Sequence, residues 1–324
     1  MSLEIKVEKQ LYFPGEIIKG VCSLQLNGKC KDITICFKGK EHTRWSQGSG
    51  ENRRTYQETF TMFKETQSLV TGDSSGSQSF SGNFQYPFEI QIPLCPATYD
   101  SKYRHGKIYY SITLKIHKML LGTKKKIPIY IGPLTFITNE LTLPNTMEHE
   151  KSICCLFCKG GMVQAQATTN KRGYLIDEIV DVKINLTNLS KRKVTKIEAN
   201  FVQKTIYKAG SHTKIGITDL IYHKQDFTIL KGQTESYNLQ FPLAKDLTPS
   251  SFGRIINFGY VLRILIHVSG ASCKSTFDLP VIVGSTFGEI PNFSAAKILS
   301  TFIIKPESTQ SKLDENVNSI VTKA

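Results

Sequence analysis

The sequence predicts an all-β protein: two antiparallel β-sandwich domains followed by a short disordered C-terminal tail. Three observations carry that prediction. Apolar and polar residues alternate with a period of two along much of the chain, the pattern of a sheet with one face in a core. No stretch of about 12 residues carries a clean helical stripe. The two halves also resemble each other, as if one domain-sized unit of about 150 residues were present twice.

In the first half, Ile18, Cys22, Leu24 and Leu26 point one way, interrupted only by Gly20. Ile33, Ile35 and Phe37 repeat the alternation, as do Ile108, Tyr110, Ile112, Leu114 and Ile116. In the second half, Glu178, Val180, Val182, Ile184 and Leu186 share a face, and Ile197, Ala199 and Phe201 follow. The run Tyr260, Leu262, Ile264, Ile266 and Val268 is β-branched and aromatic, as strands prefer. The repeat shows where Tyr12-Phe-Pro-Gly-Glu16 aligns with Tyr174-Leu-Ile-Asp-Glu178. Each is an aromatic, a short turn and a glutamate, followed by two apolar residues and then alternation. Each half closes on an apolar strand ending in glycine, at Gly132 and Gly284.

These signals divide the chain into a first domain over 1–140, a linker over 141–158, a second domain over 159–287 and a tail over 288–324. The linker reading rests on the polar, proline-containing stretch from Leu141 to Glu150. Soft loops are expected from Ser46 to Arg54 and from Thr71 to Gly82. The tail holds one short apolar run, Ile298 to Ile304, and turns polar after Pro306.

With 324 residues, 40% hydrophobic and 21% charged, the composition is that of a folded globular protein. No apolar run reaches the roughly 18–20 residues that span a bilayer. The opening decapeptide mixes charge into every turn, unlike a signal peptide. A cytoplasmic protein is the expectation, and the eight cysteines then need no disulfide framework. The net charge of +14 is shared evenly by the two halves. Such a field favours acidic partners, an anionic membrane surface among them.

Nothing in the sequence assembles a catalytic constellation. The seven histidines are scattered, with no ligand pair such as His-x-x-x-His. A Gly-x-Ser-x-Gly elbow and a phosphate loop are missing. The reading is a protein that is not an enzyme, with no metal and no cofactor. Three basic clusters are candidate contacts for a membrane or a phosphate. They are Arg53 and Arg54 in a soft loop, Lys124, Lys125 and Lys126 in an expected hairpin turn, and Lys191, Arg192 and Lys193 in another turn. The bland alternative for each is a solvated turn. No helix-turn-helix, zinc finger or aromatic RNA-binding box accompanies them, so nucleic acid is not expected. Cys154, Cys155 and Cys158 form a Cys-Cys-x-x-Cys cluster with three readings: small buried hydrophobes, thioester lipidation, or two zinc ligands lacking a second pair.

Several segments together resemble the α-arrestins, the arrestin domain-containing proteins, over residues 3–287. In the first half they are Tyr12 to Gly20, Phe37-Lys-Gly-Lys-Glu-His-Thr-Arg-Trp45, Tyr86-Pro-Phe88 and Arg104 to Tyr110. Cys154 to Cys158 is similar to the family's cysteine-rich junction. In the second half they are Asn170 to Tyr174, Ile184 to Asn188, Gln203 to Tyr207, and Asp278 to Gly284. The resemblance implies the arrestin fold, two Ig-like sandwiches joined like cupped hands. It implies an adaptor that binds membrane-protein cargo and recruits HECT ubiquitin ligases. Relatives recruit those ligases through Pro-Pro-x-Tyr motifs in a long tail. The 12 prolines here include no Pro-Pro pair, so the expectation is recruitment that is indirect or passes through a tailed relative. Two other readings remain in the same fold: a structural subunit of a retromer-like sorting coat, and a thiol-linked thioredoxin-binding regulator.

Overall fold

Each alternating segment becomes a strand. The computed structural model describes residues 2–71, 78–101, 104–118, 122–155, 158–270, 275–289 and 295–302. The first domain opens with β1 (Ser2–Val7), β2 (Leu11–Tyr12) and β3 (Ile17–Cys30). A long hairpin follows, β4 (Asp32–Gln47) and β5 (Arg54–Thr71). Then come β6 (Gln78–Gln91), β7 (Tyr99–Asp100), β8 (Gly106–His117) and β9 (Thr123–Ile131). One sheet has the order β1-β3-β6, and the facing sheet β2-β9-β8-β4-β5, with β7 beside β8. The alternating apolar sets of β3, β4 and β8 meet between the two sheets as one core.

A short β10 (Phe136–Ile137) leads to the second domain. Its strands are β11 (Asn145–Cys155), β12 (Cys158–Thr169), β13 (Gly173–Leu175), β14 (Ile179–Asn188) and β15 (Val194–Ala209). They continue as β16 (His212–Ile229), β17 (Thr234–Pro242), β18 (Ser251–Phe252), β19 (Ile256–Val268) and β20 (Ser275–Gly284). The sheets are β11-β12-β14-β17 and β13-β20-β19-β15-β16, with β18 beside β19. After β20, β21 (Thr286–Phe287) returns to pair in parallel with β10, and α1 (Ala295–Phe302) follows.

The internal repeat extends to hydrogen bonds. Tyr12 and Tyr174 are both fully buried. Glu16 accepts from the Lys9 ammonium at 3.1 Å and from the Phe13 amide at 2.9 Å. Glu178 accepts from the Lys171 ammonium at 2.9 Å and from the Leu175 amide at 3.0 Å. The tyrosine hydroxyls accept from the Lys9 and Lys171 amides. Gly15 and Asp177 occupy the same turn position, both with positive φ. The glutamate thus closes the same turn in each domain and sets the parallel entry of β2 beside β9 and of β13 beside β20.

Two expectations are corrected. The stretch 141–158, read as linker, carries β11, which pairs with β12 along its length. It is an edge strand whose outward Glu148 and Glu150 bond Gln166 and Gln164. Its inward side is held partly by His149, stacked 4.9 Å from Phe277, so the sequence looks polar throughout. The tail from 288 is not wholly irregular, because α1 docks on the second domain. Leu299 and Phe302 lie one turn apart and are both buried, and Phe302 packs with Val202, Ile206 and Val261. Residues 303–324 lie outside the described residues.

Candidate functional site

Glu41 ties the two domains together. On β4 it follows Gly39 in the inward register, and at 1% exposure it is a buried carboxylate. Its acceptors reach the second domain. Oε1 takes the Arg254 amide at 2.9 Å, and Oε2 takes the Ile255 and Ile256 amides at 2.8 and 2.9 Å. Charge-assisted bonds of this kind are the strong ones. Gly253 is required beside them, since a Cβ there would stand 2.6 Å from the carboxylate. The Arg254 guanidinium lies 4.4 Å above the Phe60 ring.

Further contacts surround this clasp. Thr43 donates its hydroxyl to the Lys208 carbonyl at 2.6 Å. The Gly210 amide donates to Glu58 at 2.7 Å. Tyr207 enters the first domain, where its hydroxyl meets those of Tyr99 at 2.7 Å and Ser101 at 2.9 Å. The first core accordingly includes Tyr207, Ile255 and Ile256. Sequence reasoning did not single out Glu41. The available signal was a charged side chain at a position whose neighbours in the alternation face a core.

The basic clusters fall in three places. Lys124, Lys125 and Lys126 are not in a turn, as expected, but inside β9. The reason is the register: Lys124 lies opposite Lys115 and Lys126 opposite Thr113 on the outward face of β8, while Lys125 opposes Leu114 and projects the other way. Lys124 and Lys126 thereby join Lys38, Lys40 and Lys115 around a shallow depression floored by Tyr109 and Ser111. The Lys107 and Lys126 ammoniums lie 5.2 and 5.8 Å from the Tyr109 ring centre. Lys64 of β5 stands directly opposite Lys38. Burial, then the charges of Lys40 and Lys64, hold the Lys38 ammonium below its ordinary pKa.

Arg53 ends the 3-10 turn between β4 and β5, and Arg54 begins β5. Lys191, Arg192 and Lys193 form the turn between β14 and β15, as expected, where the Lys191 amide bonds the Gly160 carbonyl and Arg192 bonds the Ser269 carbonyl. That turn sits at the start of β15, whereas the clasp contacts lie at its end. The structure therefore does not gather the three clusters into one patch.

Cys155 and Cys158 face each other in register at the tip of the β11–β12 hairpin, with Cys154 opposite Lys159. Their side chains lie outside the described residues. Cys22, Cys30 and Cys36 are buried and free. Burial pushes the Cys22 thiol up to about 12, so it is no ready thiolate. Among the described residues no group of three or more His, Cys, Asp or Glu is placed to hold a metal ion. No helix among them is long and apolar enough to cross a membrane.

Comparison with known proteins matches both domains. Residues 1–128 match the model of the N-terminal domain of arrestin (or S-antigen), and residues 159–286 match its C-terminal domain. The chain is 24% identical over 281 residues to thioredoxin-interacting protein of Sus scrofa, covering 85% of this chain and 70% of that protein. It is 26% identical over 208 residues to human arrestin domain-containing protein 4, covering 63% of this chain and 49% of that one. With arrestin domain-containing protein 17 of Caenorhabditis elegans it shares 24% identity over 313 residues, 90% of this chain and 71% of that one. The chain thus spans about half the length of arrestin domain-containing protein 4.

Proposed function

The chain belongs to the arrestin domain-containing protein family, and on that premise we propose that it is a non-catalytic adaptor in membrane-protein trafficking. It binds the cytosolic parts of receptor or transporter cargo and links them to endocytic or endosomal sorting. It works in the cytoplasm, in peripheral association with the plasma membrane and endosomes. A HECT ubiquitin ligase is a further partner in this reading. The observation that supports this reading is the clasp: three backbone donors on one buried carboxylate hold two sandwiches as a single body. An adaptor needs its surfaces held in a fixed relation, because flexible docking costs ordering entropy each time it binds. Thioester lipidation of Cys154, Cys155 or Cys158 would place an acyl chain beside the basic turn at Lys191–Lys193, and acyl chain plus basic patch is the two-signal arrangement that anchors stably.

Proximity labelling with the tagged full chain in its native cells tests the reading. The expected set is rich in receptors, transporters, ubiquitin ligases and endosomal proteins. One fixed soluble complex in their place would point to a coat subunit and sink the adaptor reading.

A thiol-linked regulator is the second reading, favoured by the similarity to a protein named thioredoxin-interacting protein. The buried first-domain cysteines do not serve it. Trapping a mixed disulfide with thioredoxin under mild oxidation is its test.

A further inference from the structure

The two domains carry the same larger sheet, and its outer face differs between them in one telling way. In the second domain most of the cations on that face are matched. Lys204 pairs with Asp278 at 2.8 Å, Arg263 pairs with the same carboxylate, and Lys196 and His267 pair with Glu198. Phe302 of α1 then covers the sheet at Val202, Ile206 and Val261. In the first domain no described element covers the equivalent face of β5-β4-β8-β9, and its lysines are unmatched among the described residues. Among the described residues none of Lys38, Lys40, Lys64, Lys115, Lys124 and Lys126 pairs with a carboxylate. The carboxylates in register on this face are Asp32 at one end, paired with His117, and Asp100 at the other, opposite Lys107. Between them the lane runs from Lys115 to Lys107, about 26 Å at the usual rise per strand residue.

Two of its cross-strand pairs are like-charged, Lys38 with Lys64 and Lys115 with Lys124. Such pairs work against the sheet that holds them. They make sense against a partner that supplies several negative charges at once. The edge of the lane indicates which partner. Outward residues of β9 run Lys124, Lys126, Pro128, Tyr130, and Tyr130 stands opposite Leu11 of β2. Tyr130 is 53% exposed and Leu11 51%. A soluble polyanion would leave both in water. A membrane interface accepts the tyrosine ring and the leucine while its phosphates meet the lysines.

We propose that the outer face of the first domain's β5-β4-β8-β9 sheet docks on anionic membrane and receives phosphorylated inositol lipid headgroups between Lys38, Lys40, Lys115 and Lys126, over Tyr109. The adaptor reading supplies the reason for a membrane to be near, but the contact itself does not depend on cargo.

Vesicle co-sedimentation of the full chain tests this. The vesicles are phosphatidylcholine alone, with phosphatidylserine, or with a few per cent phosphatidylinositol bisphosphate. Wild type is expected on the inositol lipid vesicles and not on phosphatidylcholine. Lys38→Gln with Lys126→Gln is expected to weaken partitioning about thirtyfold, at the usual worth of a lysine near an anionic surface. Its melting temperature is expected to stay level or rise, since one like-charge pair is gone. Tyr130→Ser with Leu11→Ser is expected to weaken vesicle binding while sparing soluble inositol hexakisphosphate. Vesicle binding untouched by the lysine pair overturns the proposal. So does capture of a phosphopeptide, or of inositol hexakisphosphate, with no vesicle binding. A negative result here leaves proximity labelling of cargo unaffected, so the two readings fail separately.

Discussion

Three histidines give the molecule a direction of pH response. Burial first, then the neighbouring charge of Lys151, lowers the pKa of His149. Burial first, with Lys214 second, does the same to His105, and burial followed by Lys107 and Arg44 does it to His42. Each is thus more basic in the unfolded chain than in the folded protein. Below the ordinary value of 6.5, the unfolded state takes up protons that the folded state refuses, and stability falls as pH falls. We expect a lower urea midpoint at pH 5.5 than at pH 7.5, and a shallower difference in His149→Gln. A midpoint that rises on acidification would contradict the assignment. Little of this was legible in the sequence. His149 sat in a stretch that read as linker, and only its place against Phe277 and Ser275 shows that it is packed. Glu41 was hidden for a related reason: a carboxylate on an inward register reads as an interruption until its three amide partners, more than 200 residues away, are brought to it.

At the scale of elements, alternation was the dependable signal, because one buried face per strand fixes which residues are apolar. The paired Tyr12 and Tyr174 turns were legible for the same reason, since one local circuit of tyrosine, lysine and glutamate recurs at the same spacing. Lys124 to Lys126 misled because three lysines in a row look like a turn, yet strand geometry sends alternate lysines to opposite faces. α1 misled because eight residues are too few for a helical stripe to stand out. It is held by tertiary contacts: the Lys204 ammonium, itself 2% exposed, donates to the Phe302 carbonyl at 2.7 Å and completes one of the orphan acceptors at the helix end. Phe302 packs so closely that a Cβ on Gly259 would lie 2.6 Å from its ring. Phe302→Ala is therefore expected to destabilise the second domain by about 3–5 kcal/mol, read by chemical denaturation, and to release α1 to rapid hydrogen exchange. Unchanged exchange in residues 295–302 would mean that the helix is held by something other than this ring.

At the scale of the whole molecule, two sandwiches act as one body. Their cores interpenetrate through Tyr207, Ile255 and Ile256, and Glu41 stands where the domains meet. Removing its carboxylate orphans three amides, two of them buried, at about 1–3 kcal/mol for each buried one, while the lysine lane lies on the opposite face of β4. The most direct measurement is the internalisation rate of a membrane protein found among the labelled neighbours, in cells depleted of this chain and then re-supplied with it. Slowed internalisation is expected on depletion, restored by wild type and poorly restored by Glu41→Ala at equal expression. Internalisation indifferent to depletion would contradict the adaptor role, and full rescue by Glu41→Ala would contradict the single rigid body on which that role is built.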